Sequence, residues 1–170
     1  AMLAATVAAA LKPDATVDTV LQAALDAAPR TPLRTFDRRE FRTAYDYISR
    51  CLEIAGKYSD VRAVRKELCD RCLLYNMIDP LELWGFSLAM FKVAGGDVRL
   101  SAVGGTNIGR DSDTIAGRAA MLAGALNGAR GVPAEWQALF KPAVLEKIRR
   151  NAGRFADLLV NRRLPRLRSR

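Results

Sequence analysis

Apolar residues in this chain recur at intervals of three and four positions, and alternating runs of valine, isoleucine and threonine are missing. The first pattern places apolar side chains on one face of an α-helix, whereas alternation would be typical of a strand. Alanine and leucine, which favour helices, dominate the composition. With 170 residues, 50% of them apolar, the chain is long enough to bury a core. The sequence therefore predicts an all-α fold.

Prolines, glycines and capping residues predict where these helices begin and end. The predicted helices span residues 1–11, 17–28, 37–58, 61–75, 81–94, 97–103, 115–127 and 142–160, with a short helix after Pro133. The predicted capping groups are Thr16, Asp37 with Glu40, Asp60, Asp79 before Pro80, Glu82 and Asp97. No linker or change of composition divides the chain, so we predict one domain over residues 1–160, followed by an arginine-rich tail at 161–170.

Gly117 and Gly124 lie inside the helix predicted over residues 115–127. Each glycine inside a helix costs about 1 kcal/mol relative to alanine, which indicates a structural reason for their presence. Small residues spaced by three or four positions form a smooth ridge that another helix can approach closely. We therefore expect this helix to be central and tightly packed, and to hold the residues at its N-terminus rigidly.

The positive charge is concentrated at the C-terminal end. The net charge is +9, and nine lysine or arginine residues but one acidic residue lie from Lys147 onward. An arginine-rich end can attract phosphates or anionic surfaces. No aromatic residue for base stacking follows Phe155, however, so nucleic acid is not an expected partner and a solvated terminus is the favoured interpretation.

Histidine is absent, and cysteine occurs three times, at Cys51, Cys69 and Cys72. The absence of histidine excludes histidine-based triads, histidine metal ligands and histidine general bases within these 170 residues. Cys69 and Cys72 have the C-x-x-C spacing but lack a second pair, so small apolar filling of the core is favoured over a zinc site. The odd number of cysteines and the lack of a signal sequence favour a reducing, cytoplasmic location. No apolar run reaches the roughly 18 residues that span a membrane, so no membrane partner is expected.

Asp111, Asp113 and Thr114 place two carboxylates and a hydroxyl within four positions, where a glycine-rich segment precedes a predicted helix. Two interpretations of this spacing stay open. The oxygens can converge on a hard cation such as Mg²⁺ or Ca²⁺. Alternatively, Asp113 or Ser112 is the N-cap, and Asp111 lies favourably near the positive end of the helix dipole.

The residues just before this pair are candidates for ligand contact. Asn107, Ile108 and Gly109 are predicted loop residues whose backbone could approach a polar ligand closely. Arg110 either contacts a phosphate bidentately, through two of its guanidinium nitrogens, or faces solvent. Residues 107–110 are therefore candidates for contact with a polar ligand.

Three stretches between residues 107 and 136 carry a resemblance to a known family. They are Asn-Ile-Gly-Arg-Asp-Ser-Asp-Thr-Ile-Ala-Gly from Asn107, Met-Leu-Ala-Gly-Ala-Leu-Asn-Gly from Met121, and Val-Pro-Ala-Glu-Trp from Val132. Together they resemble the C-terminal signature of the ADP-ribosylglycohydrolase family. This family includes the dinitrogenase-reductase-activating glycohydrolases and the hydrolases of ADP-ribosylated arginine and serine.

The resemblance implies a compact orthogonal helical bundle and a Mg²⁺-dependent hydrolase. Such enzymes cleave the glycosidic bond between ADP-ribose and an acceptor, so the expected partner is ADP-ribose or an ADP-ribosylated protein. By match, Asp111, Asp113 and Thr114 would be metal ligands in a site for two Mg²⁺ ions, with Mn²⁺ as a substitute. Asn107, Ile108, Gly109 and Arg110 would line the wall against the ribose or diphosphate.

The resemblance also implies that part of the family's site lies elsewhere. The family carries a Gly-Asp motif and a Thr/Ser-Asp-Asp-Thr run in its N-terminal portion, and neither occurs in these 170 residues. Residues 1–160 are therefore predicted to be the C-terminal part of a single domain, with its N-terminal half as a partner in the same or a separate chain. This chain alone is expected to be inactive. The alternative is a non-catalytic structural or ligand-binding member of the family.

Overall fold

The structure, a computed structural model, describes residues 2–33 and 41–167, with side chains described up to residue 161. In chain order the helices are α1 (Met2–Ala10), α2 (Val17–Ala27), α3 (Ala44–Ala55), α4 (Arg65–Cys72), α5 (Pro80–Val93), α6 (Val98–Asn107), α7 (Ser112–Asn127), α8 (Ala134–Gln137) and α9 (Pro142–Leu167). One turn of 3₁₀-helix follows α7 at Ala129–Gly131. These two described ranges contain no strand, so the all-α prediction is confirmed.

The chain divides into two compact units, residues 1–132 and residues 133–170. The second unit consists of α8 and α9, and α9 leaves large apolar side chains such as Ile148 and Phe155 exposed. The sequence predicted that this last helix ends near residue 160, whereas it continues to Leu167. The division into one domain over residues 1–160 and a tail at 161–170 stays a prediction. Among the residues described, no helix has both the length and the apolar character to cross a membrane.

Local capping groups fix the starts of several helices. The Thr16 and Asp97 side chains accept hydrogen bonds from amides in the first turns of α2 and α6, as predicted. Asp79 likewise accepts one from the Leu81 amide at 2.8 Å, with Pro80 in the first turn of α5. Side-chain capping therefore places these three helix starts within a residue or two of the prediction.

Three helix starts differ from the prediction, and the helix expected from residue 115 begins three residues earlier, at Ser112. The helix expected from residue 37 begins at Ala44, where Thr43 is the N-cap; Asp37 and Glu40 lie outside the described residues. The helix expected from residue 61 begins at Arg65 and ends at Cys72. Asp60 instead accepts a hydrogen bond from the Arg62 amide at 2.8 Å, and this local turn precedes the helix.

Helix α5 forms the centre of the first unit. Every residue from Leu81 to Phe91 is buried, and the helix packs against α3, α6 and α7. It lies so close to α3 that a Cβ atom on Gly85 would be 2.5 Å from the Tyr47 ring. The Tyr47 hydroxyl donates a hydrogen bond of 2.7 Å to the Cys72 carbonyl, which connects α3 to the end of α4.

Helices α6 and α7 cross in backbone contact. The sequence predicted a loop from Gly104, but Gly104 and Gly105 lie inside α6. A Cβ atom on Gly105 would be 2.4 Å from the Ala116 Cα, so only glycine permits this approach. The prediction that the α7 glycines form a ridge approached closely by another helix was wrong, because a Cβ atom on Gly117 or Gly124 would meet nothing within 4 Å. The close contact is made by a glycine of the neighbouring helix, and it fixes where α7 begins.

Candidate functional site

The predicted site lies at the short turn that joins α6 to α7. The Ile108 amide donates a hydrogen bond of 3.0 Å to the Gly104 carbonyl, and the Ile108 side chain is 1% exposed. Gly109 and Arg110 follow with φ angles of 77° and 62°, and both are therefore in the left-handed region. Glycine adopts this conformation freely, whereas a residue with a Cβ atom loses about 1 kcal/mol there. Arg110 is the only such residue with a side chain among those described.

The Arg110 side chain is bound to a buried carboxylate of α5. Its Nε atom donates to Glu82 Oε1 at 2.7 Å, and its Nη2 atom donates to Glu82 Oε2 at 3.1 Å. The same Nη2 atom donates to the Leu74 carbonyl at 2.8 Å. This two-bond arrangement uses the planar fork of a guanidinium, which a lysine could not reproduce. The hydrogen bonds with Glu82 raise the pKa of Arg110 above its ordinary value.

Glu82 is fully buried, at 0% exposure, in the apolar sequence of α5. Besides the guanidinium, it accepts a hydrogen bond of 2.6 Å from the Leu74 amide. A buried carboxylate without such partners would cost several kcal/mol. Glu82 is therefore paired on both oxygens, and its predicted role as a helix cap was wrong.

A second arginine contacts the same turn from α4. The Arg65 Nε atom donates a hydrogen bond of 3.3 Å to the Ile108 carbonyl. This bond holds the end of α6, one residue before the left-handed pair begins. The turn thus has one anchor on each side of Gly109.

The two predicted aspartates lie at the start of α7. Asp111 occupies the N-cap position but makes no side-chain capping bond. Interaction with the Asp111 carboxyl group, followed by the Thr114 amide, holds the pKa of Asp113 below its ordinary value. Asp113 is exposed, while Asp111 and Thr114 are half-buried. The structure therefore places both predicted carboxylates at the N-terminus of α7, next to Thr114 in the chain.

The predicted substrate-binding residues have different surroundings. Asn107 is the last residue of α6 and is exposed, and Gly109 is half-buried. The Ile108 side chain belongs to the core, so it can meet a ligand through its backbone alone. The sequence left two alternatives for Arg110, phosphate contact or a solvent-facing side chain. In the structure the side chain instead pairs with Glu82, which neither alternative includes. Their role in substrate binding stays a prediction.

The acidic turn suits a divalent cation as part of a ligand set. Carboxylate and hydroxyl oxygens are the donors that Mg²⁺ prefers, and it takes about six of them. The N-terminus of α7 favours ionised carboxylates, the form that binds a cation. Across the described side chains, no group of three or more acidic, cysteine or histidine residues could hold a metal. Asp111, Asp113 and Thr114 would therefore need oxygens from water or from other groups.

The cysteines lie in and around the core behind this turn. Cys51 and Cys72 are fully buried, and Cys69 is partly buried; all three are free thiols. Burial raises the pKa of Cys51 well above its ordinary value, so its thiolate is disfavoured. This environment agrees with the interpretation of buried cysteine as a small apolar residue.

An aromatic side chain of α5 lies close to α7 as well. The Arg118 guanidinium is 5.6 Å from the centre of the Trp84 ring, a cation–π distance. Arg118 is four residues after Thr114, and Trp84 is two residues after Glu82. This pair therefore joins α5 to α7, whereas the Glu82–Arg110 ion pair joins α5 to the turn before α7.

Glu82 is the residue of this region that the sequence interpretation missed. It lies between Leu81 and Leu83 in a helix whose remaining residues up to Phe91 are mostly apolar. A lone acid in a helix that is apolar on all sides must be buried, and a buried acid needs a cationic partner. That signal was present, but the sequence did not say which of the many arginines would be the partner.

Comparison with models of protein families gave one match, to ADP-ribosylglycohydrolase, over residues 1–166. The searches of the curated proteins and of the solved structures each gave no match. The family match includes the acidic turn, the α5 helix and all the anchoring residues described above.

Proposed function

The chain belongs to the ADP-ribosylglycohydrolase family, and from this premise we propose that it takes part in hydrolysing the glycosidic bond between ADP-ribose and an acceptor. The acceptor class is a protein side chain or a related ADP-ribose conjugate. The observation that carries the proposal is the placement of Asp111 at the N-cap and of Asp113 in the first turn of α7, within the family match. The N-terminal half of the family domain would supply the remainder of the site.

Asp111, Asp113 and Thr114 would hold Mg²⁺ in this proposal. The support is their donor chemistry and their shared place at the N-terminus of α7. Mg²⁺, when bound, supplies Lewis-acid polarisation and orients the substrate. The protein contributes a turn of fixed conformation, so that the oxygens need little rearrangement before the cation binds.

The segment from Asn107 to Arg110 would form the wall of the site next to the cation. Asn107 offers an exposed side chain, and Gly109 offers backbone without a Cβ atom. Ile108 would act through its backbone, because its side chain is in the core. Arg110 would shape the wall through its paired guanidinium, which leaves the turn rigid.

Substitution of Asp113 tests the metal role. Mg²⁺-dependent release of ADP-ribose from an ADP-ribosylated protein is measured, both with this chain alone and with the N-terminal half of a family domain added. We expect no release by the chain alone. We expect Asp113→Asn to abolish release in the complemented protein, because the neutral amide weakens the cation ligand.

Asp18→Asn is the matched control, since Asp18 is exposed and occupies the second position of α2 as Asp113 does in α7. The control should keep the wild-type rate. Equal rates for Asp113→Asn and wild type would remove Asp113 from the mechanism. Absence of release from every version, together with no heat of ADP-ribose binding in Mg²⁺, would favour the alternative of a non-catalytic family member.

A further inference from the structure

We propose that the Glu82–Arg110 ion pair is a positioning element that holds the acidic turn in the conformation needed to bind a divalent cation. The inference rests on the proposed function, because it assigns the metal role to Asp111 and Asp113. It adds two residues that act through the turn without touching the cation. Two hydrogen bonds, of 2.7 Å and 3.1 Å, join these two residues.

The turn needs an external anchor because its own conformation is unfavourable. Arg110 has a φ angle of 62°, and Asp111 makes no capping bond that would fix the start of α7. A residue with a Cβ atom leaves the left-handed region readily when nothing holds it. Rotation at Arg110 would carry Asp111, the next residue, away from Asp113.

The anchor itself is rigid. Glu82 lies on the buried face of α5, and the Leu74 amide holds it from a second direction at 2.6 Å. The Leu74 carbonyl holds Arg110 at 2.8 Å, so one residue binds both members of the pair. Four hydrogen bonds thus join the segment at Leu74, helix α5 and the turn into one closed group.

No other described contact performs the same task. The Arg65 bond of 3.3 Å reaches the Ile108 carbonyl and therefore holds the end of α6, before Gly109. The Gly105–Ala116 contact positions the body of α7 but does not restrain φ at Arg110. The conformation of residue 110 consequently depends on its guanidinium.

Two measurements on the full chain test the proposal, each made with Glu82→Gln and Arg110→Lys. The first is hydrogen exchange of the amides of residues 110–114 without metal, compared with amides in the middle of α5. The second is Mn²⁺ affinity, followed by the electron paramagnetic resonance signal of the free ion. Arg110→Lys keeps the charge and loses the fork, so it stays informative should Glu82→Gln fail to fold.

In both variants we expect exchange at the turn to quicken at least about tenfold while α5 exchanges at its wild-type rate, because the turn loses its anchor locally. Mn²⁺ affinity should fall by at least about tenfold, as is common when a group that orients a ligand is removed. The control is Glu67→Gln, which removes the charge of a half-buried α4 carboxylate that pairs with Lys57, and it should change neither quantity.

Wild-type exchange at the turn in both variants would overturn the proposal. Acceleration that is equal in the turn and in α5 would also overturn it, since that indicates a general loss of stability. If the wild type binds Mn²⁺ and Asp113→Asn does not, but both anchor variants bind normally, the positioning role fails while the proposed function stands. If Asp113→Asn binds Mn²⁺ like the wild type, the metal role fails, and the exchange result still decides whether the pair holds the turn.

Discussion

The starts of α3 and α7 use acidic side chains in opposite ways. At α3, Thr43 and Asp46 form a capping box: the Thr43 hydroxyl accepts from the Asp46 amide at 3.1 Å, and the Asp46 carboxylate accepts from the Thr43 amide at 3.0 Å. At α7, Asp111 makes no such bond, and its carboxyl group interacts with that of Asp113.

The difference shows how acidic side chains at a helix start can be left free of capping bonds and available for another role. At α3 the Asp46 carboxylate is occupied by the Thr43 amide, and the sequence within four residues accounts for the structure. At α7 the conformation is maintained by Glu82, which is 28 positions from Arg110 in the sequence. Because support comes from outside the helix, the acidic oxygens are not needed for capping.

The largest expected effect is on stability, from removal of the external support. Glu82→Ala should lower the free energy of unfolding by about 3 kcal/mol, because the Arg110 guanidinium and the Leu74 amide lose their buried partner. Asp46→Ala, which removes half of the α3 capping box, should cost about 1 kcal/mol. Urea denaturation measures both. Equal costs for the two substitutions would contradict the claim that the two helix starts are supported differently.

The next effect concerns the packing that positions α7. Gly105→Ala should cost about 2 kcal/mol, since its Cβ atom would overlap the backbone of Ala116 and force α6 and α7 apart. Gly117→Ala is the control on the open side of α7, where a Cβ meets nothing within 4 Å. It should stabilise the protein by about 0.5–1 kcal/mol through helix propensity, as thermal unfolding would register. A destabilising Gly117→Ala would show that the α7 glycines form the close contact after all.

A smaller effect on stability distinguishes the N-cap residue of α3, Thr43, from that of α7, Asp111. Thr43→Ala should lower the free energy of unfolding by about 1 kcal/mol, because it removes a side-chain cap. Asp111→Ala should cost less than about 0.5 kcal/mol, because the Asp111 side chain makes no capping bond. Denaturant titrations of the two variants, fitted with a common slope, give this comparison. A cost for Asp111→Ala that reached the Thr43→Ala value would assign Asp111 an ordinary capping role.

The smallest effect is a pH dependence at a third helix start. Glu67, in the first turn of α4, accepts hydrogen bonds from Lys57 at 3.1 Å and from the Tyr58 hydroxyl at 2.9 Å. The Lys57 bond and then the Tyr58 bond hold the pKa of Glu67 below its ordinary value of 4.5. A lowered folded-state pKa contributes stability above pH 4.5 that is lost as the pH falls through the folded-state value.

The stability difference between wild type and Glu67→Gln should therefore be present at neutral pH and disappear in acid. Thermal unfolding over a pH series measures it. A difference that is constant with pH would mean that the carboxylate charge contributes nothing at this half-buried site, unlike the fully buried charge of Glu82.

Local signals in the sequence predicted the helices whose ends have side-chain caps. The starts of α2 and α5 agree within one residue, because Thr16, Asp79 and Pro80 act on their own helix termini. The start of α4 was missed, because its N-cap residue Val64 makes no side-chain capping bond. Gly104 and Gly105 were predicted to lie in a loop, although close packing explains them: a Cβ atom on Gly104 would meet Met90 and Val61, and one on Gly105 would meet Ala116.

The same distinction applies to the candidate site. The placement of Asp111 and Asp113 at one helix start depends on residues two positions apart, so the sequence could indicate it. The Glu82–Arg110 pair depends on how α5 packs beside the turn, and its members are far apart in the chain. An isolated glutamate in an apolar helix predicts that a partner exists, but the identity of that partner is a tertiary property.

The Trp84–Arg118 contact gives the protein a built-in fluorescent reporter. Trp84 is buried on the helix that carries Glu82, and the cation over its ring belongs to the helix that carries Asp113. The second tryptophan, Trp136, lies in the other compact unit and can be replaced by phenylalanine. Emission from the remaining indole would then follow the register between α5 and α7, so that movement of the acidic turn could be observed in solution without a label.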